Sequence, residues 1–475
     1  MEFNRKASRP FLRTPEFQAV ILAGYGTGLQ PLTNELTRGS SSSPTPKALL
    51  PIGNKPMIFY PLSWLQAAAV KDILIISPAS HKAEISETIW HSDPSYPSFS
   101  SLTITLETLD EGESASMGTA DILRKFSGLF QTDIIVLACD FVPPPSLTLT
   151  SVLNSYRTDT DRPICQVLLY ERGGAAKDGP PVSMFGMDKK TNSLVYVDEE
   201  YGSNEDLDLR MSLLWKYPHV SLTSRFLDSH VYILRRPVLE LLAERPNLSS
   251  LREDVLPWLV KLSYRKTHRK KNILDILGTT THPATTALSP SIQRRASLSR
   301  SNNPAQDKAS ALTKKAILPE DNLPSFRCGV TLHHLKDGYA ARANTIGTYS
   351  ELNRQALAAA ALSAASAPVQ VQSQAPMVSA DSIVAGTSRI GERTSIKKSV
   401  LGPHCVIGKN VKISGCIIMD HVEVKDGAKL EGTILSRNTL VEERSQLKDC
   451  ELAPGWQPNQ MVCYTRIGSL CSCCL

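Results

Sequence analysis

Apolar and polar positions along the 475-residue chain follow three different rhythms. Over residues 17–260 short apolar runs alternate with stretches of helical spacing. Phe17 to Ala23 is an apolar run that ends in glycines, which suits a buried strand feeding a tight loop. From Pro56 to Val70 apolar residues recur at Ile58, Leu62, Leu65 and Ala69, which predicts a helix that Pro61 disturbs. Ile73 to Ser77, Leu102 to Leu106 and Ile134 to Ala138 read as further buried strands. Strand–helix alternation with short loops predicts an α/β domain, a mostly parallel sheet with helices on both faces.

The second rhythm is polar. Residues 264–322 begin with a basic cluster, Arg265, Lys266, Arg269, Lys270 and Lys271, and continue in Ser, Thr, Pro and Asn with few aromatics. Such a composition buries too little apolar surface to order itself and reads as a disordered insertion. Arg294-Arg295-Ala296-Ser297 within it has the form of a basophilic kinase site. A second soft stretch, Leu357 to Ala380, is rich in Ala, Ser and Gln and reads as a linker or a marginal helix.

The third rhythm is an internal repeat of 17 residues. Val384, Ile390 and Ile396 are followed at this interval by Leu401, Ile407 and Ile413, then Ile418, Val424 and Leu430, then Leu435, Val441 and Leu447. All twelve positions are aliphatic, with the modest residues Thr394, Val411, Ala428 and Ser445 between them. This is the hexapeptide pattern of a left-handed parallel β-helix: three short faces per coil, each with one inward aliphatic. Gly391, Gly402, Gly408 and Gly432 fall near corners, where unusual dihedrals are expected. Stacked coils of this kind often serve as assembly surfaces.

Composition narrows the function classes. Hydrophobic residues make up 41% of the chain, and much of the net charge of +6 belongs to the polar insertion. No aromatics interleave with the basic cluster, so no direct nucleic-acid platform is expected. No run of 18 apolar residues is present and the basic N-terminus lacks an apolar core, so neither a membrane span nor a secretory signal is expected. The cysteines sit mostly in apolar strands, as in a reducing cytosol, and a cytosolic location is the expectation. Cys471, Cys473 and Cys474 in the tail are candidates for palmitoylation. Cys471 and Cys474 have metal-pair spacing but no accompanying pair or histidine cluster, and no metal site is expected there.

Candidate chemistry lies after the first strand. The loop Leu22-Ala23-Gly24-Tyr25-Gly26-Thr27-Gly28-Leu29-Gln30-Pro31-Leu32-Thr33 lets backbone N–H groups approach phosphates. It is followed by Pro46-Lys47-Ala48-Leu49-Leu50-Pro51-Ile52-Gly53-Asn54-Lys55-Pro56-Met57, by Met117-Gly118-Thr119-Ala120, and by Ala138-Cys139-Asp140 at a strand end. Together these segments resemble the sugar nucleotidylyltransferases, a family in which a hexapeptide domain is a frequent companion. The resemblance implies a lysine at Lys47, a first metal carboxylate at Asp140, a phosphate-binding arginine at position 28 and a second carboxylate at position 345. Gly28 and Thr345 stand at the last two positions, the loop is one residue short, and the sugar-binding Asn-x-Gly reads Asp228-Ser229-His230. No carboxylate partner is assigned to His230, which reads as a hydrogen-bonded structural histidine. Gly24, Gly26, Thr27, Lys47 and Asp140 are therefore expected to form a remnant nucleotide pocket with no catalytic residues, no metal and no cofactor.

A degenerate domain of this kind before a β-helix is similar to the gamma-subunit family of eukaryotic translation initiation factor 2B. Pro46 to Leu62, Met117 to Asp121, Leu227 to Tyr232 and Thr345 to Tyr349 carry that likeness, with Asn353-Arg354. The resemblance implies a non-catalytic subunit that assembles with an epsilon-like catalytic subunit and the other 2B subunits. It supports GDP/GTP exchange on the GTP-binding initiation factor 2. The chain ends soon after the repeat, so the helical exchange domain of epsilon is not expected. The alternative is a sugar-nucleotide pyrophosphorylase of GDP-mannose type, or its regulatory pseudo-enzyme. The expected organisation is an N-terminal tail (1–16), a nucleotidyltransferase-like domain (17–263), the insertion (264–322) and the end of that domain (323–356). A linker (357–381), a left-handed β-helix (382–453) and a C-terminal tail (454–475) follow.

Overall fold

The computed structural model describes residues 15–34, 44–90, 98–110, 112, 116–159, 163–173, 183–198, 209–265, 326–364, 377–456 and 464–465. The tail cysteines, the kinase-like sequence and nearly all of the 264–322 insertion lie outside these residues.

The N-terminal half is built on a ten-stranded sheet. Its strands are β1 (Phe17–Leu22), β2 (Asp72–Pro78), β3 (Thr103–Leu109), β4 (Asp133–Ala138) and β5 (Cys165–Glu171), then β6 (Met184–Asp188), β7 (Ser193–Asp198), β8 (Val220–Thr223), β9 (Phe226–Leu234) and β10 (Cys328–His333). The spatial order is β8-β6-β7-β10-β5-β9-β4-β1-β2-β3. β4, β1, β2 and β3 are mutually parallel, β5 and β10 are parallel to each other, and β9 runs antiparallel between the two groups. Most strands thus share one direction, as the strand–helix alternation predicts.

Alternation along the strands divides the core in two. Ala19, Ile21, Ile73, Ile75, Ile135 and Leu137 face one way, while Val20, Leu74, Ile76, Ile134 and Val136 face the other. Helices α1 (Phe59–Ala67), α2 (Lys82–Trp90) and α4 (Leu149–Thr158) cover the first face with residues such as Leu62, Ile85 and Val152. Helices α3 (Thr119–Lys125), α6 (Pro237–Ala243) and α7 (Leu256–Tyr264) cover the second, and α5 (Met211–Lys216) lies near α7. α1 is shorter than its apolar spacing predicts, and it continues past Pro61 without a break. Pro61 is the third residue of the helix, in the first turn, where backbone N–H groups have no intrahelical acceptor to lose.

A long helix, α8 (Ile346–Ala364), runs on through the first part of the stretch read as a linker. Alanine carries the highest helix propensity, which favours this outcome over a soft connection. The β-helix then begins with the strand Met377–Val378, a few residues earlier than its aliphatic pattern indicates.

The 17-residue interval is the pairing register of the coils. Ile390 pairs with Ile407, Ile407 with Val424 and Val424 with Val441, all parallel. Ile396, Ile413, Leu430 and Leu447 form a second ladder. Val384, Leu401, Ile418 and Leu435 form a third. Ten of these twelve side chains are buried in one cluster; Val384 and Ile390 are partly buried, and among the described residues their strands lie at the edges of their sheets.

The corners correct the reading of the glycines. Left-handed backbone does recur every 17 residues, at Arg393, Asn410, Gly427 and Arg444, at His404, His421, Asn438 and Gly455, and at Lys398, Gly415, Gly432 and Asp449. Of the four glycines expected there, only Gly432 adopts it. Gly391, Gly402 and Gly408 are small for a different reason, the close approach of the next coil: a Cβ on Gly402 would lie 2.7 Å from the Met419 carbonyl carbon and 3.0 Å from the Asp420 nitrogen. Because backbone cannot swing aside, Gly402→Ala is expected to cost about 1–3 kcal/mol in chemical denaturation; an unchanged midpoint would show that the coils can separate locally.

The β-helix lies against the α/β domain. Ile417, Met419 and Ile434 join the first core cluster of the sheet. Pro51–Ile52 pairs with Lys55–Pro56 in a hairpin whose turn residues Gly53 and Asn54 both take positive φ. Asn54 Nδ2 donates to the Leu401 carbonyl at 2.7 Å, and the Gly53 N–H donates to Asn353 Oδ1 at 3.0 Å. Arg437 of the β-helix reaches Glu84 of α2 at 3.5 Å.

Candidate functional site

The expected pocket sits at the C-terminal ends of β1 and β4, where open sheets bind ligands. The structure brings Gly26, Lys47 and Asp140 together there. Gly26 takes φ 77, and a Cβ on it would lie 2.7 Å from the Lys47 Cβ, so only glycine lets the lysine stem cross the loop. Thr27 opens a short 3-10 turn, Thr27–Leu29, and Gly24 has open space where a Cβ would be.

Asp140 is almost wholly buried and its carboxylate is fully engaged. Lys47 Nζ donates to Oδ2 at 2.5 Å. Arg342 grips both oxygens, Nε to Oδ1 and Nη2 to Oδ2, each at 2.9 Å. Burial pushes this carboxyl up, but Arg342 and then Lys47 outweigh burial and hold it well below the usual carboxylate range. For Arg342 burial opposes the charge, and the adjoining Asp140 more than restores it.

Arg342 was not singled out from sequence. It is placed by a two-residue ladder, Ala341 opposite Val142 and Arg342 opposite Phe141, and by the Ala343 N–H donating to the Asp140 carbonyl at 2.8 Å. Its partner is 202 residues away, and no local motif announces such a pair.

The two positions where the family chemistry needs charge are put to other use. A Cβ on Gly28 would lie 2.3 Å from the Asn344 carbonyl oxygen, so the loop closes onto the 342–345 segment and leaves no room for an arginine. Thr345 caps α8. Its Oγ1 lies 2.9 Å from Thr348 Oγ1 and accepts from the Thr348 N–H at 3.3 Å. A divalent cation does not fit this donor set. Both Asp140 oxygens are occupied by cations, and no group of three or more His, Cys, Asp or Glu suited to a metal occurs among the described residues. Gly28→Arg is therefore expected to lower the melting temperature without creating sugar-nucleotide synthesis. Synthesis above background by this variant would show that the loop opens freely.

His230 lies beside this cluster, in the irregular stretch of β9 where the pairing with β5 shifts register. It takes φ 55, a conformation glycine accepts more readily, at the position that is glycine in the family's Asn-x-Gly. Asp228 Oδ1 accepts from the His230 N–H at 2.9 Å, Asp228 also accepts from the Tyr232 hydroxyl, and Ser229 Oγ donates to the Leu168 carbonyl at 2.6 Å. The His230 ring is held by burial and by a tilted approach to Tyr232, 5.9 Å between centroids. Among the described residues Nε2 has no hydrogen-bond partner, so that atom does not supply the hydrogen bond expected of a structural histidine. Burial, with the Arg342 charge, disfavours the charged ring and lowers its pKa well below the ordinary value. Met117-Gly118-Thr119-Ala120 forms the start of α3. There Asp121 accepts from the Gly118 N–H at 3.1 Å, and Arg124 donates to the Leu242, Arg245 and Leu248 carbonyls at the end of α6 and beyond.

Known proteins share both halves of this architecture. Residues 18–168 match a family model described as nucleotidyl transferase, and residues 365–455 match one described as the EIF2B subunit epsilon LbH domain. The chain is similar to "Translation initiation factor eIF2B subunit gamma" of Schizosaccharomyces pombe, 35% identical over 55% of each chain. It is also similar to the protein of the same name from Caenorhabditis elegans, 26% identical over 52% of this chain and 58% of that one. A shorter likeness, 46% over 14% of this chain and 20% of the other, links it to "Glucose-1-phosphate thymidylyltransferase" of Neisseria gonorrhoeae. The matches thus span a little over half the length of these eIF2B gamma relatives. The chain is a homologue of eIF2B gamma subunits, with a nucleotidyltransferase domain followed by an eIF2B-type LbH domain.

Proposed function

We propose that this homologue of eIF2B gamma subunits is a non-catalytic subunit of a cytosolic initiation factor 2B complex. In this reading it assembles with an epsilon-like catalytic subunit and the other 2B subunits. It supports GDP/GTP exchange on the GTP-binding initiation factor 2 without performing exchange itself.

The observation that carries the reading is the Lys47–Asp140–Arg342 cluster. The fold of a nucleotidyltransferase is kept, while the groups that would stabilise a phosphoryl-transfer transition state are paired with each other or absent. The β-helix, fixed against the same domain, supplies a rigid second surface for assembly. Among the described residues no helix is long and apolar enough to cross a membrane.

Affinity capture of the full chain from its own cells, read by mass spectrometry, tests the proposal. Recovery of an epsilon-like protein with further 2B subunits in comparable amounts is expected. A sugar-nucleotide enzyme in their place would overturn it and favour a second reading, a pyrophosphorylase or its regulatory pseudo-enzyme. The likeness to a thymidylyltransferase and the surviving Lys47 favour that second reading.

A further inference from the structure

We infer that Arg342 takes the place of the divalent cation, so that the remnant reaction centre is a metal-independent ion cluster that fastens α8, and through it the β-helix, to the α/β core. Three observations carry this. The first is coordination: Arg342 covers both oxygens of Asp140 in a bidentate fork, and Lys47 takes a further position on Oδ2. The second is charge. Lys47 and Arg342 both pair directly with the one buried Asp140 carboxylate, so the negative charge that would attract a metal ion is already met by two cations. The third is connection. Arg342 is followed within three residues by Thr345, which caps α8; Tyr349 on that helix donates to the Pro51 carbonyl at 2.6 Å, and Asn353 accepts from Gly53. The Pro51–Pro56 hairpin in turn holds Leu401 through Asn54. One continuous path thus leads from the carboxylate to the β-helix.

An enzyme centre and a structural cluster respond oppositely when the carboxylate is removed. A carboxylate kept for metal is poorly satisfied without it, and its loss is tolerated or stabilising. Here the loss strands two buried cations. The inference does not depend on which complex the chain joins, and the capture experiment reads that question separately.

The test is scanning calorimetry of the full chain together with Mn²⁺ titration followed by electron paramagnetic resonance. Asp140→Asn is expected to lower the melting temperature by about 5–10 °C. Arg342→Met added to it should recover part of the loss, because one stranded cation is removed. Millimolar Mg²⁺ at matched ionic strength should leave the native melting temperature unchanged, and the native chain should show no Mn²⁺ site. An Asp140→Asn chain as stable as the native one would overturn the inference. So would a Mn²⁺ site on the native chain that Asp140→Asn abolishes. If Asp140→Asn does not fold, the Mn²⁺ titration of the native chain decides: binding to it overturns the inference.

Discussion

Replacing Ile407 with aspartate is expected to unfold the middle of the β-helix, while Lys409→Asp leaves its stability nearly unchanged. Ile407 is buried and stands in register between Ile390 and Val424, so its side chain belongs to a continuous aliphatic ladder. A carboxylate placed there has no partner; it costs on the order of 3–5 kcal/mol if it stays charged, and forces the coils apart if water is to reach it. The Lys409 side chain is exposed and makes a loose 3.4 Å ion pair with Glu392, also exposed. Urea denaturation of both variants, with proteolysis to locate the opened segment, measures the difference. Equal midpoints would mean that position 407 does not face the interior.

A second large effect is expected in catalysis, where the chain should show no sugar-nucleotide synthesis or pyrophosphorolysis. The reaction concentrates negative charge around the α-phosphate, and each missing stabilising donor typically costs about 10²–10³ in rate. Gly28 removes an arginine, and the Asn344 carbonyl fills its space. Thr345 removes a carboxylate, and Arg342 occupies the remaining one, Asp140. Losses in one transition state compound, so the combined deficit is at least about 10⁴. Turnover above background with any common nucleoside triphosphate and sugar phosphate, in the presence of Mg²⁺, would contradict this.

The β-helix was legible because its physics is local and periodic. One side chain must point inward at each face, and the same face returns once per coil, so each ladder leaves an aliphatic at a fixed interval, as Ile396, Ile413, Leu430 and Leu447 display. Strands β1, β2 and β4 were legible for a similar reason, since burial on both faces leaves unbroken apolar runs. The individual roles of Gly391, Gly402 and Gly408 were not, because glycine serves dihedral freedom and close approach alike and its letter does not say which. Half of the Pro46–Met57 segment, which carries part of the family resemblance, is a hairpin that docks the β-helix. Within the site, Lys47 and Asp140 announce themselves by motif, but Arg342 stands outside any motif and its meaning depends wholly on a distant partner. The loss of an arginine at position 28 was readable as a substitution; that the vacated space is closed by backbone was not.

A fluorescent-GDP release assay measures the proposed division of labour most directly. Initiation factor 2 loaded with labelled GDP would be mixed with this full chain, with the epsilon-like protein proposed as its partner, and with both. The chain alone is expected to release no GDP above the spontaneous rate. Together with the partner it is expected to raise the partner's exchange rate, or its affinity for the factor, because two weak docking surfaces held together act at high effective concentration. Release by the chain alone, or a mixture indistinguishable from the partner alone, would contradict the account.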